Sequence, residues 1–154
     1  MVIEGLKTVT QLDLTSKSIL PIIRYFYLSL NEPSSHGWRH GFDCAVGTWG
    51  QNRGLAIANA TQKFVYDLLR CDIILTIFDP LDIEIREVVG PDEDIILRLL
   101  SYMRNDETSK ARHIISELSQ GYIDPVFVRH GLELAATLDG KPQGFKTPQL
   151  RVIK

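Results

Sequence analysis

Apolar residues recur along most of this chain at intervals of three and four, the spacing of one face of an α-helix. The first such seam is Ile19, Ile23, Phe26, Tyr27 and Leu30. Ser18 is the expected cap, which would place Pro21 in the first turn, where its missing N–H does little harm. "NEPSS" at 31–35 ends that helix and offers Ser34 or Ser35 as the cap of the next. A second helix is predicted over about 36–48, with Trp38, Phe42, Ala45, Val46 and Trp49 as one stripe. "GQNRG" at 50–54 breaks the chain, and a third helix follows over about 54–72. Its predicted inner face is Ile57, Ala60, Phe64, Leu68 and Cys71, with Lys63, Tyr66 and Arg70 outward.

Residues 73–90 lose the helical period. The run is rich in β-branched residues and "DPLD" is a turn signal, so two readings are open: a short β-hairpin, or an irregular crossover that packs its Ile and Phe side chains on the helices. Periodicity then returns. "GPDEDIILRLLSYMRND" opens with Pro91 and three acids that complement the helix dipole, and its stripe is Ile95, Ile96, Leu99, Leu100 and Met103. A fifth helix over about 107–119 turns Ala111, Ile114, Ile115 and Leu118 inward. A sixth, over about 125–138, opens at Asp124-Pro125 and buries Phe127, Val128, Leu134, Ala135 and Leu138. The prediction is an all-α fold, a single compact bundle of five or six helices over 15–138. Residues 1–14 read as an extended arm. Residues 139–154 read as a flexible basic tail, with four basic residues and no acid after Asp139.

Composition narrows the class of function. A chain of 154 residues, 44% hydrophobic and 23% charged, sits in the ordinary globular range. A net charge of -2 gives no overall attraction to nucleic acid. Two cysteines, Cys44 and Cys71, make neither a disulfide framework nor a metal-type pair. The N-terminus lacks a basic stretch followed by an apolar run, and no apolar run approaches the roughly 20 residues of a membrane span. A cytoplasmic protein is the expectation.

The densest chemistry lies in "SSHGWRHGFDC" at 34–44. On a helix that turns about 100° per residue, His40 lies about 40° from His36 and Asp43 about 20° on its other side. Two imidazoles at i and i+4 with a third ligand is one way to hold zinc with an open position. The predicted aromatic stripe faces the opposite way, which makes the three a solvated face instead. Gly37 and Gly41, also four apart, point to a close approach by a neighbouring backbone. Cys44 beside His40 is a nucleophile only if its thiol pKa is lowered, and Arg39 is the one nearby cation. "GTWGQNRG" at 47–54 has the glycines of an anion-binding turn but follows a helix and lacks a P-loop lysine. The segment 79–94 carries seven acids against Arg86, without the fixed offsets of a calcium loop, and reads as a solvated acidic edge.

Within 91–125, Ile95, Leu99 and Tyr102 followed by Ala111, Ile115 and Leu118 are spaced in a way that resembles a tetratricopeptide-type helical hairpin. No second copy follows at a period near 34, so the likeness implies an antiparallel helix pair and no more.

The functional expectation is a small, non-enzymatic helical interaction or regulatory protein, without a cofactor, whose partner is another protein or a second copy in a homo-oligomer. Trp38, Trp49 and Arg53 are the expected contact surface. The first alternative is a metal-binding protein or metal-dependent hydrolase using His36, His40 and Asp43. The second is a helical nucleic-acid-binding regulator using Arg53, Lys63 and the tail, against which the acidic balance argues.

Overall fold

A computed structural model describes residues 5–138. Six helices pack against one another: α1 (Leu14–Asn31), α2 (Gly37–Trp49), α3 (Gln51–Arg70), α4 (Pro91–Arg104), α5 (Thr108–Leu118) and α6 (Pro125–Leu138). Two residues of the N-terminal arm, β1 (Lys7–Thr8), pair antiparallel with β2 (Val88–Val89), Lys7 opposite Val89. Strand pairing therefore joins the arm to the end of the 73–90 segment and forms no hairpin within it. The all-α bundle is as predicted. Among the described residues no helix is long and apolar enough to cross a membrane.

Local chemistry sets most boundaries. α1 begins at Leu14, four residues before the predicted cap, because Asp13 Oδ1 accepts the Ser16 amide at 2.9 Å. Pro21 consequently lies inside the helix and not in its first turn. An interior proline costs about 3 kcal/mol. The burial of Ile19, Leu20, Ile22, Ile23 and Phe26 around it holds the helix together. α2 and α3 are joined by Gly50 alone, at φ 88, a conformation that glycine adopts without steric cost.

α2 is rotated relative to the predicted stripe. Its buried residues are Gly37, Gly41, Ala45 and Trp49, four apart, whereas Trp38 is 42% exposed. A Cβ on Gly37 would lie 2.5 Å from the Tyr25 carbonyl oxygen, and one on Gly41 2.9 Å from the Phe26 ring. Gly37 thus lets α2 lie against the backbone of α1, the close approach that the spacing anticipated, while Gly41 makes room for the Phe26 ring. Gly54 serves the next joint, with its missing Cβ 2.6 Å from the Ala45 carbonyl. Ile57, Phe64 and Leu68 of α3 are fully buried, and Phe64 stacks on Phe127 of α6 at 5.3 Å.

Residues 73–87 take the irregular course. Ile73, Leu75 and Phe78 are buried on the bundle, while Ile74 is 94% exposed. The crossover is anchored by charge. Arg24 of α1 and Glu93 of α4 are both buried and form a two-pronged pair at 2.7 and 2.8 Å. Arg24 also donates to the carbonyls of Arg86 and Val88, each at 2.6 Å. Glu93 accepts the amides of Phe78 at 2.8 Å and Gly90 at 2.9 Å. The acidic edge predicted for 79–94 is in this respect corrected: Glu93 is a core residue, and Asp92 and Asp94 hold the Thr76 amide and the Lys7 ammonium. Four backbone groups between Phe78 and Gly90 find their partners in two side chains, which satisfies the requirement that buried polar groups be paired.

Candidate functional site

The proposed metal triad does not assemble. His36 is not on the helix: it sits at φ 56 as the residue before α2, so the helical wheel that aligned it with His40 and Asp43 does not apply to it. His40 is exposed and its ring lies 5.4 Å from that of Tyr25. Asp43 is exposed as well. Among the described residues no group of three His, Cys, Asp or Glu side chains is arranged to hold a metal ion.

The expected contact surface is also dispersed. Trp49 is buried in the core, its indole N–H without a partner, because the inward face of α2 is the glycine side. Arg53 turns onto the end of α6 and donates to the Thr137 carbonyl at 3.2 Å through Nη2. Trp38 alone remains at the surface, with the Arg39 guanidinium 5.7 Å over its ring. Lys63, offered for nucleic acid, faces Glu133 at 3.9 Å, and Arg70 of the same helix binds Asp67 and Asp124. The tail lies outside the described residues.

A polar cluster that the sequence did not announce joins α3 to α6. Asp67, buried, meets His130 Nδ1 at 2.6 Å through Oδ2 and Arg70 Nε at 3.0 Å through Oδ1. Arg70 continues to Asp124 at 3.1 and 3.3 Å, and Asp124 caps α6 by accepting the amides of Val126 and Phe127. The Arg70 guanidinium, with help from those amides, lowers the Asp124 carboxyl from an ordinary 3.8 to about 2, and Asp124 in turn raises Arg70. Cys71 beside this cluster has its thiol raised by burial and then by Asp124, and burial likewise raises Cys44. Neither thiol is the lowered one that a nucleophile needs. A carboxylate on Nδ1 fixes a histidine tautomer, as in a general base, but the same carboxylate here also ties α3 to the cap of α6. The cluster has a complete structural role.

An apolar groove lies elsewhere. α5 and α6 each pack along α4 but scarcely touch one another, so a groove of about 400 Å³ runs between them. Tyr102 and Met103 of α4 form its floor. Ala111, Arg112 and Ile115 of α5 form one wall, and Pro125, Val128 and Leu132 of α6 the other, with Ile123 between them. Two turns create this shape. Asp106 at φ 57 turns the chain out of α4, and Gln120 and Gly121, at φ 57 and 96, turn it between α5 and α6. Gly131 lets α6 press onto Met103, since a Cβ there would lie 2.9 Å from that sulfur. Leu132, the next residue, is left at the rim and 49% exposed, and Tyr122 nearby is 63% exposed.

The groove is apolar, with Asp106, Thr108 and Arg112 as its polar groups. It offers a seat for aliphatic and aromatic side chains, and the thioether floor adapts to different shapes. Leu132 is an apolar residue off the buried stripe of the sixth helix, and its exposed side chain adds to the apolar rim. Set beside known protein families, characterised proteins and solved structures, the chain matches none.

Proposed function

We propose that this protein is non-enzymatic and works by protein contact, seating an amphipathic helix of a protein partner in the groove between α5 and α6. The observation that carries the reading is the groove itself: helical walls, an apolar lining that includes Met103 and Tyr102, and exposed Leu132 at its edge. Small-molecule sites enclose their ligand and bury most of its surface. Here the groove is open along the helices, which favours the helix-in-groove mode of recognition.

The test is a photoreactive phenylalanine analogue placed at Leu132 in the full chain within cells, with Tyr66 on the outer face of α3 as the control position. The expected result is a discrete adduct from position 132 that maps to an apolar helical face of one protein and disappears with Val128→Arg. No adduct at 132, or the same adducts from both positions, would overturn the proposal.

A further inference from the structure

The groove is apolar along its floor and carries its charges on the α5 side. Asp106 just precedes α5 and Arg112 lies in its second turn; both line the groove and both are exposed. Arg112 also borders the hollow on the other side of α5, beside His113, which places it on the rim.

The neighbouring charges of α5 are already matched. Lys110 meets Glu107 at 3.1 Å, and His113 meets Glu117 at 3.2 Å. The side chains of Asp106 and Arg112 make no hydrogen bond or ion pair among the described residues, not even with each other. An acid and a base that share one edge of an apolar groove yet stay apart can both be matched by whatever enters it. Charges at a rim add little to affinity, but they decide which partner enters and in which register. Charges beside the apolar seam of paired helices act in the same way.

We infer that the partner's helix carries a carboxylate for Arg112 and a Lys or Arg for Asp106, both on the edge that meets α5 and about one or two turns apart. The inference rests on the reading of the groove as a seat for a helix, and it states the chemistry of the occupant. The apolar stripe of that helix lies over Tyr102 and Met103. Its basic residue faces the turn between α4 and α5, and its acid lies further along α5, so one direction of entry matches both charges. Residues 140–154 of this chain hold four cations and no acidic side chain, so they offer Arg112 no carboxylate side chain.

The adduct formed by the photoreactive analogue at position 132 is the probe. Arg112→Glu is expected to lower its yield roughly tenfold at limiting expression, since an attraction becomes a repulsion, and Arg112→Gln roughly threefold. Asp106→Asn, which suits the left-handed backbone there equally well, is expected to lower it roughly threefold. Arg129→Glu, the same change of charge at an exposed position outside the groove lining, is expected to leave the yield unchanged. All four variants are expected to keep the wild-type circular dichroism spectrum. Replacing the acid found in the adduct by Lys is expected to restore the yield with Arg112→Glu. An adduct indifferent to Arg112→Glu and Arg112→Gln or to Asp106→Asn, a mapped helix without an acid beside its apolar stripe, or an exchange that restores nothing would refute the inference and leave the groove reading in place. The absence of any adduct from position 132 removes both.

Discussion

Glu93 is the residue whose loss the structure makes most costly. Its carboxylate binds the buried Arg24 guanidinium and two backbone amides, those of Phe78 and Gly90. Removing one partner of a buried ion pair costs about 3–5 kcal/mol, because the remaining charge has no solvent. Two orphaned amides raise the expected loss for Glu93→Leu to at least about 5 kcal/mol. That is comparable with the whole stability of a marginal domain. The informative variant is the double replacement Arg24→Met with Glu93→Leu. In general, replacing both members of a buried pair by apolar residues is neutral or stabilising. Here it leaves the Phe78 and Gly90 amides and the Arg86 and Val88 carbonyls without partners. At about 1 kcal/mol or more for each buried group left unmade, the double variant is expected to lose at least about 4 kcal/mol. Urea unfolding followed by circular dichroism measures both, and an unchanged denaturant slope confirms that stability alone has moved. A double variant within about 1 kcal/mol of the wild type would refute the argument that the pair serves the crossover backbone.

Two further outcomes follow from geometry already described. Gly37→Ala must displace the Tyr25 backbone and is expected to cost about 1–3 kcal/mol, whereas Gly47→Ala, in the same helix with no atom within 4 Å of the new Cβ, is expected to add about 0.5–1 kcal/mol. Thermal melts that move in the same direction for both would contradict this. Asp124, with its carboxyl held at about 2, contributes stability that is complete above its ordinary 3.8 and is lost as the pH falls through about 2. Asp124→Asn keeps a cap acceptor but not the charge, so its deficit against the wild type is expected to shrink between pH 5 and 2 in urea titrations, and a constant deficit would reject the assignment.

The helices were legible because apolar period alone places them, and the ends followed wherever a cap residue was unambiguous, as at Asp124-Pro125. α1 was misjudged at its start because Asp13 caps a first turn with little apolar character, and Ser18 looked like the better signal. α2 was misjudged in rotation because glycines carry no hydropathy. Trp38 and Phe42 suggested one inner face, while the helix–helix approach selected the face without side chains. Arg24 and Glu93 lie 69 residues apart, and Asp67 and His130 63 apart, so no local pattern shows that they meet. The groove was beyond reach for a different reason. It depends on how α5 and α6 diverge over α4, which is set by left-handed turns at Asp106, Gln120 and Gly121, and of these only the glycine is a conventional turn signal.

The manner in which Arg24 and Glu93 hold the crossover bears on how this sequence can change. Both side chains recognise main-chain atoms, and at Arg86 and Val88 they recognise carbonyl oxygens that every amino acid possesses. The path of the chain there is written in two helical residues and not in the loop itself. The exposed positions from Leu81 to Glu84 are accordingly open to substitution and even to inserted residues, while a single change at position 24 or 93 releases the whole span. Variation in the least regular part of the molecule is thus uncoupled from its shape, and a new surface can be evolved there without redesigning the bundle.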